Sequence, residues 1–177
     1  TETLTRTNLL PAGSGGMFTY APDGAQIAVS TPTSVSLMNA DGGNLRMNVL
    51  TYPFINTASE YAYHVLPTWR FDGAALRAVV PPVEPFALPT PNSTVWNLPV
   101  DGSPAGSIGT ITNRPLNTAP FSPDLSWLAY LRPVGDSGTT SELHLVNLDG
   151  GGDRLAGTGS YDQLYWSPDS SRLAVSA

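Results

Sequence analysis

One eleven-residue phrase recurs four times along this chain. "WSPDSSRLAVS" (166–176) and "FSPDLSWLAYL" (121–131) are near copies, while "YAPDGAQIAVS" (20–30) and "WRFDGAALRAV" (69–79) are looser ones. Each begins with an aromatic residue: Tyr20, Trp69, Phe121 or Trp166. Two residues on stands Pro22, Pro123 or Pro168, with Phe71 in the second copy. Asp23, Asp72, Asp124 or Asp169 follows, then Gly24, Gly73, Leu125 or Ser170. Four residues after the Asp comes an aliphatic: Ile27, Leu76, Leu128 or Leu173. Self-similarity at a period of about 50 residues restricts the chain to stacked repeating units, each one supersecondary element.

The phrase reads as strand, tight turn, strand. Pro presets φ for a turn, Asp bonds the backbone two residues on, and Gly accepts positive φ. The stretches "IAVS", "LRAVV", "LAYL" and "LAVS" have strand length and composition. A second element follows three of the copies: "SVSLMNADGGN" (34–44), "TVWNLPVDGSP" (94–104) and "ELHLVNLDGGG" (142–152). Each alternates and then turns at Asp-Gly, a strong hairpin signal, before a short run to Leu45, Ile108 or Leu155. One unit is therefore four antiparallel strands. No stretch carries a clear helical stripe; the nearest, "INTASEYAYHVL" (55–66), lacks one. The expected fold is all-β: a partial β-propeller of about three and a half four-stranded blades. The blades are expected at 17–50, 66–112, 118–157 and 163–177, the last incomplete, with 1–16 holding the closing strand of a preceding blade.

The aromatic-Ser-Pro-Asp turn, the aliphatic-Ala strand and the later Asp-Gly-Gly resemble the TolB-type propeller repeat, also found in the propeller domain of prolyl oligopeptidases. "FSPDLSWLAYL" and "WSPDSSRLAVS" carry the resemblance most fully, and the second unit departs from it at Phe71 and Arg77. The resemblance implies a protein-interaction role and an exported chain, periplasmic or at the cell surface. Closed propellers need roughly four to eight blades, and an open stack exposes blade faces and strand edges. The expectation is that the chain belongs to a longer propeller. Self-association to complete the ring is the second reading, and an open or non-propeller sandwich the third.

Composition narrows the partners. The chain has 177 residues and a net charge of −6; all eight basic residues are Arg, and there is no Lys. An acidic chain without a basic cluster does not suit nucleic acid or an anionic membrane. Without Cys there is no disulfide, zinc–thiolate site or thiol catalysis. No apolar run is long enough to span a bilayer.

Two motifs invite a chemical reading. "GDSG" (135–138) resembles the nucleophile signature of chymotrypsin-like proteases, with Ser137 as attacker. The upstream His such a triad needs could only be His64, in a context unlike that family's, and the segment reads as a hairpin loop. "DGGGD" (149–153) places two carboxylates on one turn but misses calcium-loop spacing, so they read as turn caps. No cofactor or metal is implied, and no catalytic constellation is present. "NST" (92–94) satisfies the N-glycosylation pattern, which carries little meaning in a bacterial chain, the origin that the TolB-type resemblance implies. "PPVEPFALPTP" (81–91) reads as a stiff surface insertion, with a ligand for a partner's groove as the other reading.

In a propeller, the first–second and third–fourth strand turns share one face. Asp23, Asp41, Asp72, Asp101, Asp124, Asp149, Asp153 and Asp169 are expected there, each serving its own turn or together forming an acidic surface. The opposite face receives the longer connections 51–64, 81–93, 132–140 and 157–163. Binding resides on such loops, and Tyr52, Phe54, Tyr61, Tyr63, His64, Phe86 and Tyr161 are the candidate binding residues. The function expected is a non-catalytic protein-interaction or scaffolding module. The alternatives are the gating propeller of a larger peptidase or hydrolase, and a carbohydrate- or small-ligand-binding propeller.

Overall fold

The computed structural model describes residues 8–113, 116, 119–135 and 139–177. Among these there are thirteen strands and no helix. Sheet I runs β1 (Met17–Tyr20), β2 (Gln26–Ser30), β3 (Ser34–Asn39) and β4 (Arg46–Thr51), each antiparallel to the next. Sheet II repeats the order with β5 (Thr68–Trp69), β6 (Leu76–Val80), β7 (Ser93–Leu98) and β8 (Gly106–Ile111). Sheet III contains β9 (Trp127–Val134), β10 (Thr140–Asn147) and β11 (Gly152–Gly159). A bridge from Phe121 to Leu128 marks the place of its innermost strand. Sheet IV is the pair β12 (Gln163–Trp166) and β13 (Leu173–Ser176).

The period-2 alternation of each second strand explains why the sheets stack. Leu128 and Tyr130 of β9 face sheet II, where they meet Val95 and Ile111. Ala129 and Leu131, one step out of phase, face sheet IV and Leu164. In the same way Ala28, Val35 and Leu37 of sheet I pack on Trp69, Leu76, Ala78, Val80 and Leu98 of sheet II. Leu76, Leu98 and Leu128 are fully buried, and each such side chain contributes about 1.5–3 kcal/mol by leaving water. The core is thus a series of thin apolar seams between sheets.

The parts shared by the four copies each have a structural task. The turn closes by a hydrogen bond from Gly24 N to Ala21 O (2.8 Å), and by its equivalents Gly73 to Arg70, Leu125 to Ser122 and Ser170 to Ser167. The fourth turn residue lies at positive φ in every copy: Gly24 71°, Gly73 72°, Leu125 62° and Ser170 62°. The leading Trp reaches the preceding sheet: Trp69 Nε1 donates to Thr19 O (3.3 Å) and Trp166 Nε1 to Pro120 O (3.0 Å). Successive turns also touch. Phe71 N donates to Pro123 O (2.8 Å), and Asp124 N to Ser170 Oγ (3.0 Å).

Arg77, where the other copies carry Ala, faces sheet III. Its guanidinium donates to the Leu125 carbonyl and lies 3.7 Å from Asp149 Oδ1. The departure from the repeat is therefore a strap between the second and third sheets.

Candidate functional site

The candidate binding residues separate into buried and exposed groups on the long connections. Tyr52 is buried; its hydroxyl donates to Thr31 O (2.7 Å) and accepts from Val65 N (3.2 Å). Burial raises its pKa, the Val65 bond opposing. Tyr63 is half-buried against the first seam, and burial raises its pKa as well. Tyr161 packs on the seam between sheets III and IV and rests against β11. A Cβ added at Gly157 would lie 2.7 Å from its hydroxyl. His64 is half-buried, its Nδ1 3.1 Å from Ala62 O. These four side chains organise the loops.

Phe54, Tyr61 and Phe86 stand in solvent, Phe54 and Phe86 at 54% exposure and Tyr61 at 77%. Leu88 is more open still at 84%, and Val83 and Leu66 are also exposed. The loops bearing them are tied together: Asn56 N donates to Val83 O (2.8 Å) and its amide to Glu84 Oε1 (3.1 Å). Apolar side chains are held in water here on cross-linked backbone.

On the repeated-turn face, most acids serve their own turns. Asp23, Asp41, Asp72, Asp101, Asp124 and Asp169 each accept from the amide two residues on, at 2.8–3.1 Å. The residue preceding the Pro position supplies a second donor in three copies. Ser167 donates to Asp169 (2.6 Å), Ser122 to Asp124, and Arg70 takes the same place with two bonds to Asp72 (2.7 and 2.8 Å). The Ser167 hydroxyl and the Ser171 amide hold the Asp169 carboxyl down at about 2. Burial pushes Asp124 up, but its Ser122 and Ser126 bonds prevail and the net shift is down.

Two acids depart from this expectation. Asp149 faces Arg77, and the Asn147 side chain caps that turn instead, accepting from Asp149 N (2.9 Å). Asp153 lies in β11 and caps no turn. Its Oδ2 accepts from Tyr130 (2.6 Å), and its Oδ1 is 2.9 Å from His144 Nδ1. His144 Nε2 is 3.3 Å from Glu142 Oε2, which Arg132 also holds through Nε (2.7 Å). The His144 ring stacks on Tyr130 with centroids 5.1 Å apart. Burial, then the Asp153 bond, raises the Tyr130 pKa; Arg132, then His144, lowers that of Glu142.

This cluster escaped sequence reasoning because its members lie on three different strands and occupy ordinary alternating positions in them. Only the register, Tyr130 opposite His144 and Arg132 opposite Glu142, assembles it. Among the described residues, no three His, Cys, Asp or Glu are placed to hold a metal ion. Asp136, Ser137 and Gly138 of the "GDSG" motif lie outside the described residues.

No family model matches the chain, and no curated protein matches it. Solved structures do. One is an oligogalacturonate lyase in complex with manganese, at TM-score 0.59 and 15% identity, covering 89% of this chain and 43% of that one. Another is the putative TolB from Agrobacterium tumefaciens, at TM-score 0.54 and 15% identity, covering 88% of this chain and 51% of that one. The tricorn protease matches at TM-score 0.50 and 14% identity, covering 86% of this chain and 14% of that one. All three are β-propeller folds, and this chain is a partial all-β propeller. At these identities the likeness concerns the fold. The chain spans about half the length of the first two structures and a smaller share of the third.

Proposed function

We propose that this chain is a non-catalytic protein-interaction or scaffolding part of a β-propeller, working in an exported protein. The observation that carries the reading is the set of exposed apolar side chains on the long connections, Phe54, Tyr61, Phe86 and Leu88. They stand on loops anchored by the Tyr52 and Asn56 bonds, so a partner meets a surface whose ordering cost is already met. The partner is a protein with an apolar patch. The outer face of sheet I supports a further partner. Ile27, Val29 and Met38 face away from sheet II and are buried under Leu9 and Leu10, beside a groove of about 590 Å³ that leaves Phe18 and Tyr20 in water. Corresponding residues in the later sheets receive a preceding sheet; here Leu9 and Leu10 take part of that place, and another blade, from a longer chain or a second copy, covers the remaining Phe18 and Tyr20. Export rests on the TolB-type resemblance of the repeats.

The test is binding by the pair Phe54→Asp/Phe86→Asp, which leaves the buried seams intact. A protein retained from an extract of the producing cells, then purified, binds the unaltered chain, and the pair weakens binding at least tenfold. Equal binding by the pair, or no protein retained, overturns the reading.

A second reading, the gating propeller of a larger hydrolase, is favoured by the likeness to the tricorn protease, of which this chain covers 14%. A nucleophile elbow in sequence continuous with this chain would select it.

A further inference from the structure

We propose that His144, Asp153, Glu142 and Tyr130 form a proton-operated latch that fastens β11 to the rest of sheet III. His144 is buried, and both ring nitrogens face carboxylates: Nδ1 is 2.9 Å from Asp153 and Nε2 is 3.3 Å from Glu142. A neutral imidazole has one N–H and can donate to only one of them, leaving a lone pair facing a carboxylate oxygen. The imidazolium donates to both. The number of protons on the ring therefore sets the number of bonds holding the strands. Histidine is the side chain that ordinarily changes charge between pH 5 and 8.

The latch sits beside a break in the β10–β11 backbone ladder. Pairing between β10 and β11 shifts register between Leu143 and His144, so Leu143 opposes Gly157 and His144 opposes Leu155. β11 is also largely exposed and contains Gly152, Gly157 and Gly159. A strand with little burial and an interrupted ladder opens at low cost. Among the described residues, its side-chain attachments within the sheet are Asp153 on His144 and Tyr130, and Arg154 over the Trp127 ring at 5.1 Å. The connection that follows the strand rests Tyr161 against Gly157 and Gly159 at its far end. Proton uptake closes the latch, and rising pH loosens β11 together with the connection that follows it.

Among the described residues, the charged and titratable groups around His144 are Tyr130 and Arg132 from β9, Glu142 from β10 and Asp153 from β11. From sheet II, Val95 and Ile111 are apolar, and the Arg77 guanidinium is directed to Leu125 and Asp149. Glu142 is held below the usual carboxylate range and Tyr130 above the usual phenol range, so neither changes charge between pH 5 and 8.

The test is amide hydrogen exchange of the intact protein between pH 5.5 and 8, corrected for intrinsic rates. Protection across 153–158 is expected to fall about tenfold over this range, the loss of one charge-assisted bond, with β2 and β6 unchanged. His144→Gln removes the pH step. Should that variant fail to fold, Glu142→Gln, which removes the negative charge facing Nε2 and leaves a neutral amide there, is expected to shrink the step at least threefold. Protection independent of pH in the unaltered protein, or a step of equal size in the folded variant, overturns the latch.

Discussion

The backbone amide of Asp124 donates to the hydroxyl of Ser170, 3.0 Å away and 46 residues later in the chain. One repeat's turn is thereby capped by the next, and the cap is a residue at φ 62°, a conformation that costs a side chain about 1–2 kcal/mol. Ser170→Ala keeps the backbone cost and loses the bond, so urea unfolding should show a loss of about 1–2 kcal/mol. Ser170→Gly loses the same bond but relieves the backbone, so its loss should be smaller by about 1 kcal/mol. Equal losses would mean that the positive φ is not strained.

Arg77→Ala restores the residue the other copies carry, yet it should destabilise. The Leu125 carbonyl loses its charged donor, at a cost of about 1.5–3 kcal/mol in denaturant unfolding. Asp149→Asn should cost under about 0.5 kcal/mol, because that carboxylate is 64% exposed and screened by solvent. A neutral Arg77→Ala would show that the strap contributes nothing.

Asp169 governs an acid transition. Its carboxyl is held at about 2, below its usual 3.8, by Ser167 and the Ser171 amide. A depressed pKa stabilises the fold above the unfolded value, and that contribution disappears as pH falls through about 2. Asp169→Asn has no such group to protonate. Its stability between pH 5 and 2 should fall less steeply than that of the parent, measured by thermal melts across that range.

Tyr130 governs the alkaline side. Burial and the Asp153 bond raise its pKa above the ordinary 10. A raised pKa gives stability that is complete below pH 10 and is lost as pH rises beyond it. Tyr130→Phe should cost about 1 kcal/mol at neutral pH through the missing bond to Asp153, and should flatten the loss above pH 10. A parallel alkaline decline in both proteins would assign that decline elsewhere.

Much of this architecture is legible in the chain because the information is local. Pro22, Asp23 and Gly24 specify a turn by their own φ preferences and side-chain reach, and Ile27 then starts a strand of period 2. Four repetitions of that local code imply stacked sheets, since each sheet has two apolar faces and cannot bury them alone. Even Ser122 and Ser167 act within five residues of themselves, each bonding the Asp two positions on and the amide five positions on.

What tertiary structure alone decided is which side chains meet across strands and between sheets. Nothing in "RAVV" shows that Arg77 reaches the carbonyl of Leu125, 48 residues away. Nothing in "ELHLVN" distinguishes His144 from any inward-facing strand residue until β9 and β11 bring Tyr130 and Asp153 to it. Tyr52 likewise looks like a loop aromatic in the sequence, while the fold buries it as the bolt between Thr31 and Val65. Turns and strands follow from interactions a few residues long. Cross-strand register, and the low-dielectric seams it closes over, arise only after the sheets have paired.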